Sequence, residues 1–134
     1  MNELILPFNE IQQELQKMQD FLEITMSEEA SEAVQRGNDL AVYMARSGKL
    51  VADAKYHRDH KLRSETVSQL KEIIKLPPSV AVKFIDSLME EENRIFTWTE
   101  RINRTCTHQL EWCRTVISKA KEEMRNFNFG NQPY

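Results

Sequence analysis

The sequence predicts an all-α fold: a long antiparallel helical hairpin with a shorter N-terminal helix packed along it, as a three-helix, coiled-coil-like bundle. Three observations carry this. Four Pro and three Gly in 134 residues leave few places where a helix must stop. Runs in which Val, Ile and Thr alternate with polar residues, the mark of half-buried strands, are missing. From Val80 to Met124 there is neither Gly nor Pro, and apolar residues recur at steps of three and four.

The first helix is expected over about residues 8–24, where Phe8, Ile11, Leu15, Met18 and Leu22 form one stripe and Phe21 widens it. Thr25 and Glu28 fit a capping box that restarts the chain, with Ser27 as an alternative cap. The second helix is expected over about residues 28–76. Gly37 and Gly48 are its weak points, but one glycine costs a helix only about 1 kcal/mol. Leu40, Val51, Leu62 and Ile73, each eleven residues on, keep one face throughout.

Pro77 and Pro78 end that helix, and Ser79 is placed to cap the next, over about residues 79–126. Its stripe runs Ile85, Leu88, Ile95, Ile102, Cys106, Cys113, Val116 and Ala120. A second line beside it holds Met89, Phe96, Leu110, Ile117 and Met124, with Asn103 as the polar exception. Residues 1–127 read as one helical domain, and 128–134, without charge, as a flexible C-terminal tail. A turn at Pro77 makes facing residues sum to about 155. That places Leu70 near Ile85, His57 near Trp98, Ala54 near Arg101 and Tyr43 near Trp112, with Asn103 at the level of Ala52. A single polar residue in such a stripe fixes register or oligomeric state.

The net charge of −3 excludes a generally basic chain but hides an asymmetry. Residues 1–35 carry eight acids and one base, whereas residues 46–63 carry six bases against Asp53 and Asp59. Arg46, Lys49, Lys55, Arg58 and Lys61, joined by Arg101 and Arg104 from the facing helix, make a basic belt at mid-hairpin. The belt has three readings: a phosphate-binding surface, with Tyr43, Tyr56, Trp98 and Trp112 as stacking platforms; internal cancellation, with the acidic first helix laid over it; or association between the acidic and basic ends of different copies. Internal cancellation is the preferred one.

Asp53, His57 and His60 lie at i, i+4 and i+7 on one helix face and are the best available metal ligands. No Glu-x-x-His spacing accompanies them, so solvated polar residues are expected and no cofactor is. Cys106 and Cys113 fall on the apolar stripe, and His108 is about 200° round the helix from Cys106. Buried thiols in a reducing compartment follow, not a Cys–His nucleophile. With no phosphate loop, paired-carboxylate site or Ser-His-Asp arrangement, an enzyme is not expected. No stretch reaches the roughly 20 apolar residues of a membrane span, and the N-terminus has no basic leader, so a cytoplasmic, non-membrane protein is expected.

The segments Tyr43–Arg58 and Arg104–Arg114 resemble small, uncharacterised helical proteins of bacterial phages, prophages and related mobile elements. The resemblance implies a small cytoplasmic protein near DNA replication or recombination, with no catalytic residues to carry over. The expectation for the whole chain is a non-enzymatic interaction or scaffold protein that self-associates. The alternative is a nucleic-acid-binding accessory protein using the basic belt.

Overall fold

The computed structural model describes residues 4–130, and within them the chain is all helix and connection. It contains α1 (Phe8–Leu22), α2 (Ala30–Ser68), α3 (Leu70–Ile73), α4 (Pro78–Ser87) and α5 (Glu90–Gly130). α2 and α5 form the expected antiparallel hairpin, and α1 lies in the groove between them. α1 runs alongside α5 in the same direction. Its start sits beside Asp53 and His57, and the Leu22 carbonyl at its end accepts a hydrogen bond from Gln109 Nε2 at 2.9 Å.

The stripes anticipated in α1 and in the middle of α5 are core. Of the eleven-residue line expected in the second helix only Leu40 is buried: Leu62 is exposed, Val51 and Ile73 are half-buried, and Leu50 and Ala54 face inward instead. Ile11, Leu15, Met18 and Leu22 of α1 pack with Leu40, Leu50 and Ala54 of α2 and with Ile95, Ile102, Cys106, Cys113 and Val116 of α5. Burying each large aliphatic side chain contributes about 1.5–3 kcal/mol, so this layer dominates the favourable terms. α1 has 15 residues against 39 in α2, roughly 22 Å against 58 Å at 1.5 Å per residue. α1 therefore covers less than half of the hairpin.

Several boundaries differ from the expected ones. α2 runs unbroken through Gly37 and Gly48, neither of which has a positive φ. It ends at Ser68, where the sequence predicts continuity to 76. The Thr66 hydroxyl bonds back to the Leu62 carbonyl at 2.7 Å, and Thr66, Val67 and Ser68 are all weak helix formers, which together loosen this turn. The long third helix is likewise divided. At Leu88 and Met89 the backbone tightens to i→i−3 bonds, next to Ser87 bonded back to the Phe84 carbonyl at 2.6 Å.

The caps also differ. Pro77 takes the N-cap position of α4 and Pro78 its first turn, so Ser79 lies inside the helix. Ser27 Oγ accepts the Glu29 N–H, and α2 starts at Ala30 without a Thr25–Glu28 box. Of the expected flexible tail, residues 128–130 continue α5 and 131–134 lie outside the described residues.

Register is the other correction. Near the turn it matches expectation, with the Arg58 guanidinium 4.2 Å from the Phe96 ring centre. Towards the open end it slides by more than one turn. Asn103 Nδ2 donates to Ser47 Oγ at 2.9 Å and to the Met44 carbonyl at 3.1 Å, rather than meeting Ala52. Tyr43 packs on Phe21 at 4.9 Å, not on Trp112. The slip develops between the Arg58–Phe96 level and the Asn103–Ser47 level, inside the unbroken lengths of α2 and α5, which a single turn centre does not capture. Asn103 nonetheless does what a lone polar residue in an apolar stripe does: its two cross-helix bonds hold one register.

Candidate functional site

The seven cationic residues of the belt do not converge. Arg46 makes a two-pronged pair with Glu14 of α1, Nε and Nη2 lying 2.7 and 2.6 Å from its oxygens. Hydrogen bonding to Arg46 is the main cause that lowers the Glu14 pKa, and the same bond raises that of Arg46. Lys49 pairs with Asp53 and donates to the Leu4 carbonyl at 2.8 Å. Arg58 lies over Phe96 and 3.3 Å from Asp59, and Lys61 is 3.3 Å from Glu65.

Lys55, Arg101 and Arg104 remain exposed, with no carboxylate within salt-bridge distance among the described residues. Lys49 and Lys55, six residues apart, point about 120° from one another round the helix. α1 thus meets one side of the belt. Arg104 instead lines a shallow groove with Val51, Glu100, Thr107 and His108 on the side away from α1.

The metal-candidate residues have a different job. Asp53 accepts the Leu6 N–H at 3.0 Å, and His57 Nε2 donates to the Leu6 carbonyl at 2.7 Å. A carbonyl only accepts, so Nε2 carries the proton, and the bond exists in either charge state of the ring. With Lys49 one turn back, three side chains at i, i+4 and i+8 clasp the main chain of Leu4–Leu6 and fix where α1 begins. Phe8 sets its ring edge-on to His57 at 6.0 Å, while His60 stacks on Tyr56 and is exposed. Among the described residues no group of three His, Cys, Asp or Glu is placed to hold a metal ion.

Cys106 and Cys113 are free and buried, and burial pushes both thiols above their ordinary pKa. His108 is exposed, 3.9 Å from Glu111 and apart from the buried thiol of Cys106. Trp98 Nε1 donates to Gln19 of α1 at 3.0 Å, whereas Trp112 is partly exposed in a depression it shares with Glu28, Val116 and Lys119. Among the described residues no helix is long and apolar enough to cross a membrane.

The feature that sequence reasoning passed over is the far end of the hairpin. Every side chain between Ala54 and Met89 stays at least partly exposed. Yet this stretch holds Val67 at 77%, Ile74 at 72% and Val82 at 58% exposure, with Leu70 and Val80 close behind. A signal existed: residues 70–85 are strongly apolar, but they read as ordinary hairpin core until the short reach of α1 is known.

No family model, curated protein or solved structure matches this chain. Its role is read from its own surfaces.

Proposed function

We propose that this protein is a non-enzymatic helical interaction or scaffold protein that self-associates. One observation carries the reading: the hairpin continues well past α1 with exposed aliphatic side chains and no buried core of its own. A soluble monomer rarely leaves such a run uncovered, and contiguous exposed apolar surface marks a contact with something else. The polar groups best placed for chemistry support the same reading. Asp53 and His57 hold main-chain atoms, Arg46 and Lys49 hold carboxylates, and the two thiols sit in the core. The resemblance to small helical proteins of phages and mobile elements fits an accessory role of this kind.

A second reading, a nucleic-acid-binding accessory protein, is favoured by Lys55, Arg101 and Arg104, whose charges are not neutralised inside the molecule. Phosphate contacts made by such residues weaken steeply with salt. Light scattering on a sizing column, with and without a short single-stranded DNA at low and moderate salt, separates the two. A defined oligomer indifferent to DNA supports the first reading. A salt-sensitive shift with DNA, lost on reversing Lys55 and Arg104, supports the second and displaces the first.

A further inference from the structure

The geometry points to a second copy of this chain as the occupant of the hairpin tip. The two tips overlap antiparallel about a two-fold axis, with the stripe Val67–Leu70–Ile74 and the neighbouring α4 valines of each copy covering those of the other. This rests on the self-association proposed above and names its surface.

Val67 near the end of α2, Leu70 at the start of α3 and Ile74 at its C-cap recur at steps of three and four, and the i→i−4 bonds of Gln69, Ile73 and Ile74 carry that spacing across the break at Gln69. The overlap available, residues 62–92, is on the order of the 20–30 residues per side of an ordinary stable interface. Charge selects the partner and its direction. Residues 70–85 carry Lys71, Lys75 and Lys83 against one acid, Glu72, and residues 86–92 carry Asp86, Glu90, Glu91 and Glu92 with no base. Glu91 is paired with Arg94 at 2.7 Å. The three lysines, Asp86, Glu90 and Glu92 have no ion-pair partner among the described residues.

Each tip is therefore cationic at its end and anionic at its base. An antiparallel overlap sets the lysines of one copy against the acids of the other, twice over. A parallel one sets lysines against lysines. Among the described residues, Arg63 is the one unpaired cation near the base. The arrangement is isologous and closes at two copies, so it forms no filament.

Sedimentation velocity of the full chain over a concentration series tests this. The wild type is expected to dimerise, more weakly as salt rises. Ile74→Glu places a charge in the stripe at a position already 72% exposed. It should weaken the dimer by about tenfold or more while leaving helicity and melting of the dilute protein unchanged. Val42→Glu, on an equally exposed valine of the body, should leave dimerisation intact.

The sharper arm uses two charge-reversed chains, one with Lys71, Lys75 and Lys83 changed to Glu, the other with Asp86, Glu90 and Glu92 changed to Lys. Each should be monomeric alone, and the two should dimerise when mixed. An oligomer that survives both Ile74→Glu and the reversals overturns the tip assignment while self-association stands. A chain monomeric at all concentrations overturns both. A monomer whose tip instead binds vesicles of anionic phospholipid, or a different protein, also overturns the second copy as occupant.

Discussion

Replacing Asp53 separates a structural clasp from a ligand site. Its side chain is 8% exposed and accepts the Leu6 N–H at 3.0 Å, one of three contacts that hold residues 4–6 against α2. Asp53→Ala leaves that N–H without its acceptor. A hydrogen bond to a charged group contributes about 1.5–3 kcal/mol, so this is the larger loss. The Lys49 pair adds little, at most about 0.5 kcal/mol, because Lys49 is 40% exposed and screened and keeps the Leu4 carbonyl. The expected destabilisation is about 2–3 kcal/mol for Asp53→Ala. For Asp53→Asn, which keeps an acceptor oxygen but loses the charge, it is about 1 kcal/mol. Urea unfolding followed by circular dichroism measures the cost, and limited proteolysis reports release of residues 4–8. An Asp53→Ala variant within about 0.5 kcal/mol of wild type would refute the clasp. A chelator that lowers the melting temperature of the wild type would refute it in favour of a metal site.

Other consequences follow from the same packing. Gly37→Ala and Gly48→Ala should each stabilise the chain by about 0.5–1 kcal/mol, since both glycines sit in continuous helix. An added Cβ would meet Leu110 Cδ1 at 3.6 Å in the first case and Asn103 Nδ2 at 3.9 Å in the second, both ordinary contacts. A fall in melting temperature for either would show that α2 bends there. The depressed Glu14 pKa means that its pair with Arg46 stabilises the fold above the carboxyl's ordinary range and is lost as pH falls through the lowered value. Stability should therefore drop on acidification below about pH 4.5 more steeply in the wild type than in Glu14→Gln, by about 0.5–1 kcal/mol for this partly exposed pair. Cys106 and Cys113, buried and held as thiols, should resist a disulfide reagent at neutral pH and react only with the rate of unfolding.

Much of this architecture was legible because it depends on periodicity. The α1 stripe and the line Ile95, Ile102, Cys106, Cys113 and Val116 are all core, and Asn103 stands out as the residue that bonds across the hairpin. What was not legible depends on chain path. The helix breaks at Gln69 and Leu88–Met89 fall where hydroxyls at Thr66 and Ser87 bond back to carbonyls, and the register slip develops further on, between Arg58–Phe96 and Asn103–Ser47. Spacing alone does not say which of several tolerable positions will give way. The clasp on Leu4–Leu6 was hidden because irregular backbone leaves no period, although an acid beside Ala54, three residues from Leu50 on the core side, was a hint of burial. The belt was a correct count of charge, but counting along the chain does not say which side of a helix each charge takes. Arg46 turns to α1 and Arg104 to the far groove.

The proposed division leaves the body of the bundle complete within one chain and the tip awaiting a partner. Hydrogen exchange followed by mass spectrometry at low and high protein concentration tests this division directly. Residues 62–88 should exchange fast when dilute and gain protection on concentration, while segments around Leu15, Leu50 and Ile102 stay protected throughout. A tip as slow as the body when dilute, or one that concentration leaves unchanged, would contradict it.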